Sequence, residues 1–299
     1  MAVTTASASL PVKRPPTASV AHAIGEAAVA ALHEELEAEP KPGLVTPRDR
    51  GAHRDMDART FRASIAALRG YFHAVARAGT EGASLAALRP LALDAEARML
   101  HATGGVNTHR GAIFSLGLLT AAAGRLAAAR APFGPAALRD AVRRGYGAAI
   151  LRELPAPVAS HGAIAGRRHG VGGARAEAAA GFPHLFDVAL PALRASLLRG
   201  ASREAAAVQC LLSAIAVLPD TNLLYRGGAA GLTFARAAAQ LFLARGGVHR
   251  SGWREHARAL HRAFVGRDLS PGGSADLLAA ALFVERLGAL DPSPAGGAG

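Results

Sequence analysis

Glycine and proline punctuate this chain at short intervals, and nearly every stretch between them is built from residues that favour a helix. The breaks fall at Pro40 and Pro42, Pro132-Phe133-Gly134-Pro135, Pro155 and Pro157, Gly181-Phe182-Pro183, Pro219, Gly246-Gly247 and Pro271-Gly272-Gly273. Proline lacks a backbone donor and its ring clashes with the preceding turn, so helices end at or before such points. The spacing predicts helices over 18–37, 84–100, 111–129, 135–153, 173–180, 185–199, 203–218, 228–245, 252–265 and 274–288. Another is marked by Phe61, Ile65, Leu68, Phe72 and Val75, which recur at helical spacing and give it one core face.

Composition narrows the fold class. Hydrophobic residues make up 51% of the chain and aromatics only 5%. The apolar mass is therefore Ala and Leu, strong helix formers, with few of the β-branched and aromatic residues that strands prefer. The expectation is an all-α protein: a single multi-helix, bundle-like domain over residues 17–290 whose polar loops form one cleft. Disordered tails are expected at 1–16 and 291–299, where Ala, Ser, Thr, Pro and Gly dominate.

The formal net charge is +12, but it is spread through the chain. Lys13 and Lys41 are the only lysines; the remaining basic residues are arginines scattered singly, without a basic run interleaved with aromatics. That pattern argues against a nucleic-acid partner and mildly favours a small polyanionic ligand. Cys210 is the sole cysteine, so an intramolecular disulfide and a cysteine-based metal site are excluded. No uncharged apolar run reaches the roughly 18–20 residues of a membrane span. Met1 to Leu10 has no signal-peptide pattern. A cytoplasmic protein without a membrane partner is expected.

The densest chemistry lies in Thr103-Gly104-Gly105-Val106-Asn107-Thr108-His109-Arg110-Gly111, just ahead of an apolar helix. Helix starts carry unpaired N–H groups and partial positive charge, a natural seat for phosphate. His109 and Arg110 would add side-chain donors. The alternative is a plain glycine turn capped by Asn107 or Thr108.

Four acids stand out. Asp55 and Asp57, with His53, would share one side of an extended segment, where Mg²⁺ suits paired carboxylates; Asp57 as a helix N-cap is the other reading. Glu96 has only Ala92, Leu93, Met99 and Leu100 at helical spacing around it, so it needs a metal, a cationic partner or a raised pKa. Asp220 follows the helix predicted over 203–218, at a dipole end that disfavours an acid; a cation would remove the conflict, and capping of the next turn is the alternative. Lys41, in a stiff Lys-Pro-Gly turn, Arg175 after Gly172-Gly173, and Arg226 before Gly227-Gly228 are candidate phosphate contacts. Ser160-His161-Gly162 is a further polar island. In Ser270-Pro271-Gly272-Gly273-Ser274-Ala275-Asp276, Ser274 reads as an N-cap and Asp276 as a first-turn acid, with a metal role for Asp276 the minor reading. Walker, Rossmann, His-Glu-x-x-His and Gly-x-Ser-x-Gly patterns are absent from the sequence. What remains suits a Mg²⁺-bound nucleoside polyphosphate.

Taken together, Lys41-Pro42-Gly43-Leu44-Val45, Gly51-Ala52-His53-x-Asp55-Met56-Asp57, Glu96-x-x-Met99, Thr103 to Phe114, Ser160-His161-Gly162, Gly173-Ala174-Arg175-x-Glu177-Ala178, Asp220-Thr221-Asn222 and Gly272 to Asp276 resemble the triphosphoribosyl-dephospho-CoA synthase family. The likeness runs from about residue 25 to 288, with the motifs in order. Arg110 stands where a lysine is frequent, and Thr46-Pro47-Arg48-Asp49-Arg50 replaces the usual Asp/Asn-rich continuation.

The resemblance implies an all-helical transferase that moves the triphosphoribosyl group of ATP onto the 2′-hydroxyl of 3′-dephospho-CoA and releases adenine. Its product would be the prosthetic-group precursor for the acyl carrier protein of malonate decarboxylase or citrate lyase, with the malonate pathway favoured. Indirect partners would be that carrier and its phosphoribosyl-dephospho-CoA transferase; a homodimer is left open. An α linkage made from a β-nucleotide implies inversion, with base and leaving-group acid on opposite faces of the ribose. On this reading Asp55, Asp57, Glu96 and Asp220 supply Mg²⁺ ligands and the base. Lys41, His53, Asn107, Thr108, His109, Arg110, Arg175 and Arg226 hold the nucleotide. Two other classes remain: a Mg²⁺-dependent glycohydrolase of ADP-ribose type, using water as acceptor, and a basic helical nucleic-acid-binding protein, whose binding would fall steeply with salt.

Overall fold

The computed structural model describes residues 17–152 and 161–290. The tails expected at 1–16 and 291–299, the break at Pro155 and Pro157, and Ser160 lie outside the described residues. Within them the protein is all-α. The first half contains α1 (Thr17–Glu37), α2 (Ala58–Thr80), α3 (Leu85–Ala102), α4 (Arg110–Ala128), α5 (Pro135–Val142) and α6 (Ala148–Arg152), with a π-helical turn at Arg143–Gly147 joining the last two. The second half contains α7 (His161–His169), α8 (Gly173–Ala179), α9 (Leu190–Leu198), α10 (Arg203–Val217), α11 (Thr221–Ala244), α12 (Trp253–Val265) and α13 (Gly272–Gly288).

Local chemistry explains most boundaries. Asp57 caps α2 in a reciprocal box with Thr60, while Ser84 and Ser202 cap α3 and α10 through their hydroxyls. Such caps contribute about 1 kcal/mol each by pairing N–H groups that a helix start leaves open. Two boundaries differ from expectation. Helix α11 begins at Thr221 rather than near 228, because Asp220 caps it; Gly228, at φ 59° and ψ −160°, then puts a kink where the start was expected. Helix α7 occupies sequence read as a polar island.

Helix α4 is the axis. It packs against α2, α13 and α1, and its residues Leu116, Leu119, Ala121, Ala122 and Ala123 are wholly buried. Among the described residues it is the one unbroken helix long and apolar enough to cross a membrane, yet 67% of that stretch is buried inside the protein. It reads as a core helix of a helical bundle. Small residues let it approach α2 closely. A side chain at Gly79 would place its Cβ 2.1 Å from the Ala121 carbonyl oxygen, and one at Gly124 would come 2.2 Å from that of Ala76. The core then continues through α10 and α13, which pack on each other.

This contact predicts opposite outcomes for two glycines of one helix. Gly79→Ala should lower stability by about 1–3 kcal/mol, since a carbonyl of α4 must move. Gly70→Ala, where an added methyl meets nothing within 4 Å, should raise it by about 0.5–1 kcal/mol. Chemical denaturation of both variants measures the difference, and equal effects would contradict the close approach.

Candidate active site

The loop from Lys41 to Asp57 and the starts of α4, α11 and α13 enclose a cleft of about 1060 Å³. Its lining includes His53, Arg54 and Asp55 from the loop, Asn107 to Ala112 at the start of α4, Asn222, Tyr225 and Arg226 on α11, and Gly272, Ala275 and Asp276 on α13. Three helices thus turn their N-terminal ends toward one space, adding positive potential there.

The start of α4 is the most open of the three. Asn107 Oδ1 accepts from the Arg110 N–H at 3.1 Å, and no side chain caps the helix from the N-cap residue His109. Among the described residues the Gly111 and Ala112 N–H groups have no side-chain partner. Gly104 and Gly105, both at positive φ, turn the chain into this helix. His109 itself is 4% exposed. Its Nδ1 lies 2.7 Å from Ser64 Oγ and 3.1 Å from Thr108 Oγ1, while Nε2 is buried with no partner. Burial, with smaller contributions from the charges of Lys41 and His33, holds its pKa down at about 3. His53 is likewise lowered, to about 4, by burial and then by Arg226; its Nε2 pairs with Ser270 Oγ at 2.9 Å. Both rings are neutral at physiological pH.

The acids divide sharply. Asp55 lines the cleft, exposed and without a hydrogen bond among the described residues. Asp57 is the cap of α2: its Oδ1 accepts from the Arg59 and Thr60 N–H groups at 2.9 and 3.0 Å. Glu96 is ion-paired with Arg110, the cationic partner that its apolar stripe required. Asp220 is buried behind the cleft. It accepts from Asn222 N at 2.9 Å, Leu223 N at 3.4 Å, Ser274 N at 2.8 Å and Ser274 Oγ at 2.9 Å. Those donors, rather than a cation, remove the dipole conflict, because Asp220 belongs to the start of α11 and not to the end of α10. Burial nevertheless raises its pKa, with the Ser274 bonds pulling the other way. The structure therefore does not gather Asp55, Asp57, Glu96 and Asp220 around one point.

Of the basic candidates, Arg226 lines the cleft but is heavily engaged. It donates to Ala52 O and Asp268 Oδ1, both at 2.8 Å, and reaches His53 Nδ1 at 3.2 Å. Lys41 is 1% exposed and bound to Glu35 Oε1 at 2.6 Å; Glu35, not Lys41, lines the cleft. Arg175 sits on α8 and donates to the Ile150 carbonyl at 2.8 Å, away from the cleft lining.

The residue that sequence reasoning undervalued is Asp276. Helix α13 starts at Gly272, so Ser274 is not its cap but a donor to Asp220, and Asp276 faces the cleft. Its carboxyl has no hydrogen bond among the described residues. Burial, then the neighbouring charges of Asp220 and Glu35, push its pKa well above the usual carboxylate range. Gly111 makes room for it, since a Cβ there would lie 1.9 Å from Asp276 Oδ2. The signal was present: Gly272, Gly273, Ala279 and Ala280 surround Asp276 at helical spacing, the criterion that singled out Glu96.

Among the described residues, the one group of three His or acidic side chains whose ligand atoms lie within 4.8 Å of one another is His22, Glu26 and His73. It lies apart from the cleft lining, and Arg69 clamps Glu26 from Nε at 2.9 Å and from Nη2.

Residues 21–294 match the family model described as ATP:dephospho-CoA triphosphoribosyl transferase. A probable 2-(5''-triphosphoribosyl)-3'-dephosphocoenzyme-A synthase of Vibrio cholerae is 41% identical over 281 residues, covering 91% of this chain and 90% of that protein. A relative of the same probable name from Azotobacter vinelandii is 41% identical over 94% of this chain and 97% of its own. The 2-(5''-triphosphoribosyl)-3'-dephosphocoenzyme-A synthase of Klebsiella pneumoniae is 41% identical over 88% and 90%. No solved structure matches the chain.

The depressed pKa of His109 has a consequence for stability. Between the unfolded value of about 6.5 and the folded value of about 3, the unfolded chain binds a proton that the folded ring refuses. Each pH unit lost in that window therefore costs the folded state about 1.4 kcal/mol. Any stability advantage of the parent over His109→Gln should be complete above pH 6.5 and shrink as pH falls toward 4. Urea titrations at several pH values measure this difference, from which the opposing contributions of Asp220 and Asp276 largely cancel. A pH-independent difference would show that the ring takes up its proton normally.

Proposed function

This chain belongs to the ATP:dephospho-CoA triphosphoribosyl transferase family, and from that premise we propose that it moves the 5-triphosphoribosyl group of ATP onto the 2′-hydroxyl of 3′-dephospho-CoA, with adenine as leaving group. The observation that carries this reading is the unpaired Asp276 carboxyl beside the open start of α4, in a cleft onto which two further helix starts converge. The helix ends, Arg226 and His109 suit a polyphosphate. A carboxyl with a raised pKa suits proton transfer at the sugar.

The donor set also fits Mg²⁺ brought in with the nucleotide. Mg²⁺ commonly takes one or two carboxylates and leaves its other positions to phosphate oxygens and water. Asp55, on the rim and without a hydrogen bond, would hold it; Asp57, Glu96 and Asp220 are committed elsewhere. When bound, the ion neutralises phosphate charge that would otherwise repel the site's acids.

In the proposed step the C1′–N9 bond of ATP breaks and its electron pair goes to adenine. Asp276, holding its proton to higher pH than an ordinary carboxylate, delivers that proton to the departing base. The 2′-hydroxyl oxygen of dephospho-CoA forms the new bond to C1′ from the opposite face, and its proton passes to solvent, from which Asp276 is recharged. We place the product in the maturation of an acyl carrier protein, of malonate decarboxylase ahead of citrate lyase.

Incubation of the protein with ATP, Mg²⁺ and dephospho-CoA, followed by mass spectrometry, should show one coupled product and one equivalent of adenine. Adenine release without dephospho-CoA would identify a glycohydrolase instead. Asp276→Asn should slow adenine release by about 10²–10⁴-fold, the usual worth of general acid catalysis, with ATP binding largely kept. A near-normal rate would remove Asp276 from the chemistry.

A further inference from the structure

We propose that Ser64 is a positioning residue: together with Thr108 it holds the His109 imidazole in the tautomer whose proton sits on Nε2, so that the ring offers an N–H donor to an anionic oxygen of the bound nucleotide. The ligand half of this inference rests on the nucleotide reading of the cleft; the tautomer half does not.

Ser64 lies on α2, is 0% exposed, and reaches across to residues 44 and 45 positions away in sequence. Thr108 Oγ1 donates to Ser64 Oγ at 2.8 Å. The Ser64 hydroxyl, having accepted that bond, turns its own proton to the remaining neighbour, His109 Nδ1, at 2.7 Å. Nδ1 is thereby an acceptor and carries no hydrogen. A neutral imidazole holds one proton, which is then on Nε2. The opposite tautomer would leave a bare, buried Nε2 and require the Thr108–Ser64 bond to run the other way.

Nε2 is the one ring atom left without a partner, and it is buried in a residue that lines the cleft. A buried donor in that state calls for an acceptor, and a ligand oxygen supplies it. Phe61 packs edge-on against the imidazole, with ring centroids 4.9 Å apart, and His109 is also the N-cap residue of α4. The ring therefore stands at the same helix start as the Gly111 and Ala112 N–H groups. Because it is neutral, the donor does not repel Arg110 and Lys41.

Histidine-selective ¹⁵N labelling of the full chain, with His109 assigned through His109→Gln, reports the tautomer directly at pH 7.5 and without ligand. The expected spectrum has a bare Nδ1 and a protonated Nε2, and addition of inorganic triphosphate should shift the Nε2 resonance. Ser64→Ala should mix the tautomers and raise the KM for ATP about tenfold while kcat changes less than about threefold. Ser64→Thr, which keeps the hydroxyl, should restore both. If Ser64→Ala fails to fold, Ser64→Cys replaces the hydroxyl by a weak donor of similar size and reads the same quantities. A protonated Nδ1 in the parent, or an unchanged tautomer and KM in the Ala and Cys variants, would overturn the inference. A protein that makes no coupled product but keeps this tautomer and its response to triphosphate upholds the role of Ser64 and removes the proposed reaction.

Discussion

Asp220 holds together the part of the molecule on which the cleft depends. Its carboxylate caps α11 through two backbone N–H groups and takes the backbone and hydroxyl of Ser274 at the start of α13. Two helix starts are tied to one buried acid. Burying a carboxylate is expensive, and the expense is bearable only because four donors replace the water it gave up. Gly273 packs so closely that an added Cβ would stand 3.2 Å from the carboxyl carbon, which leaves little freedom in how the two helices meet. Arg226 on one and Asp276 on the other then face the same space.

Electrostatics in that space follow from the same packing. The converging helix ends favour anions, whereas Glu35 and Asp276 in the lining and Asp220 behind it crowd negative charge together. Lys41 answers Glu35, and Ser274 with the start of α11 answers Asp220. Asp276 has no hydrogen bond among the described residues, and burial, then the charges of Asp220 and Glu35, push its pKa up. An unpaired acid beside an anion-binding helix start would destabilise an empty structural core. In the proposed reaction it would be the group that hands a proton to the departing base. The two histidines differ in what they leave open: both ring nitrogens of His53 are engaged, with Ser270 and Arg226, whereas His109 keeps Nε2 without a partner.

The helices were largely legible in the sequence because their signals are local. Proline and glycine breaks, Ala and Leu content, and the Phe61–Val75 stripe concern residues within a turn or two of one another. At α11 two local signals competed: Asp220 caps the helix at 221, and the glycines near 228, read as its start, make a kink inside it. The candidate site was legible only in part. Asp55, His53, Arg226 and the Asn107–Arg110 segment line the cleft, but Asp57, Glu96, Lys41 and Arg175 are engaged with other protein groups. For Asp57 and Glu96 both outcomes were visible beforehand, a cap and an ion pair, without a means of choosing between them.

The sequence by itself determined the fold class, the order of the helices and the family, because helix propensity, chain breaks and ordered motifs are written residue by residue. Only the tertiary structure decided which carboxylates stand free in the cleft. A charge's role depends on what lies within about 4 Å of it, and those neighbours come from elsewhere in the chain: Ser274 for Asp220, Arg110 for Glu96, Glu35 for Lys41. For Asp276, as for Asp55 at the rim, the fold brings no hydrogen-bond partner among the described residues.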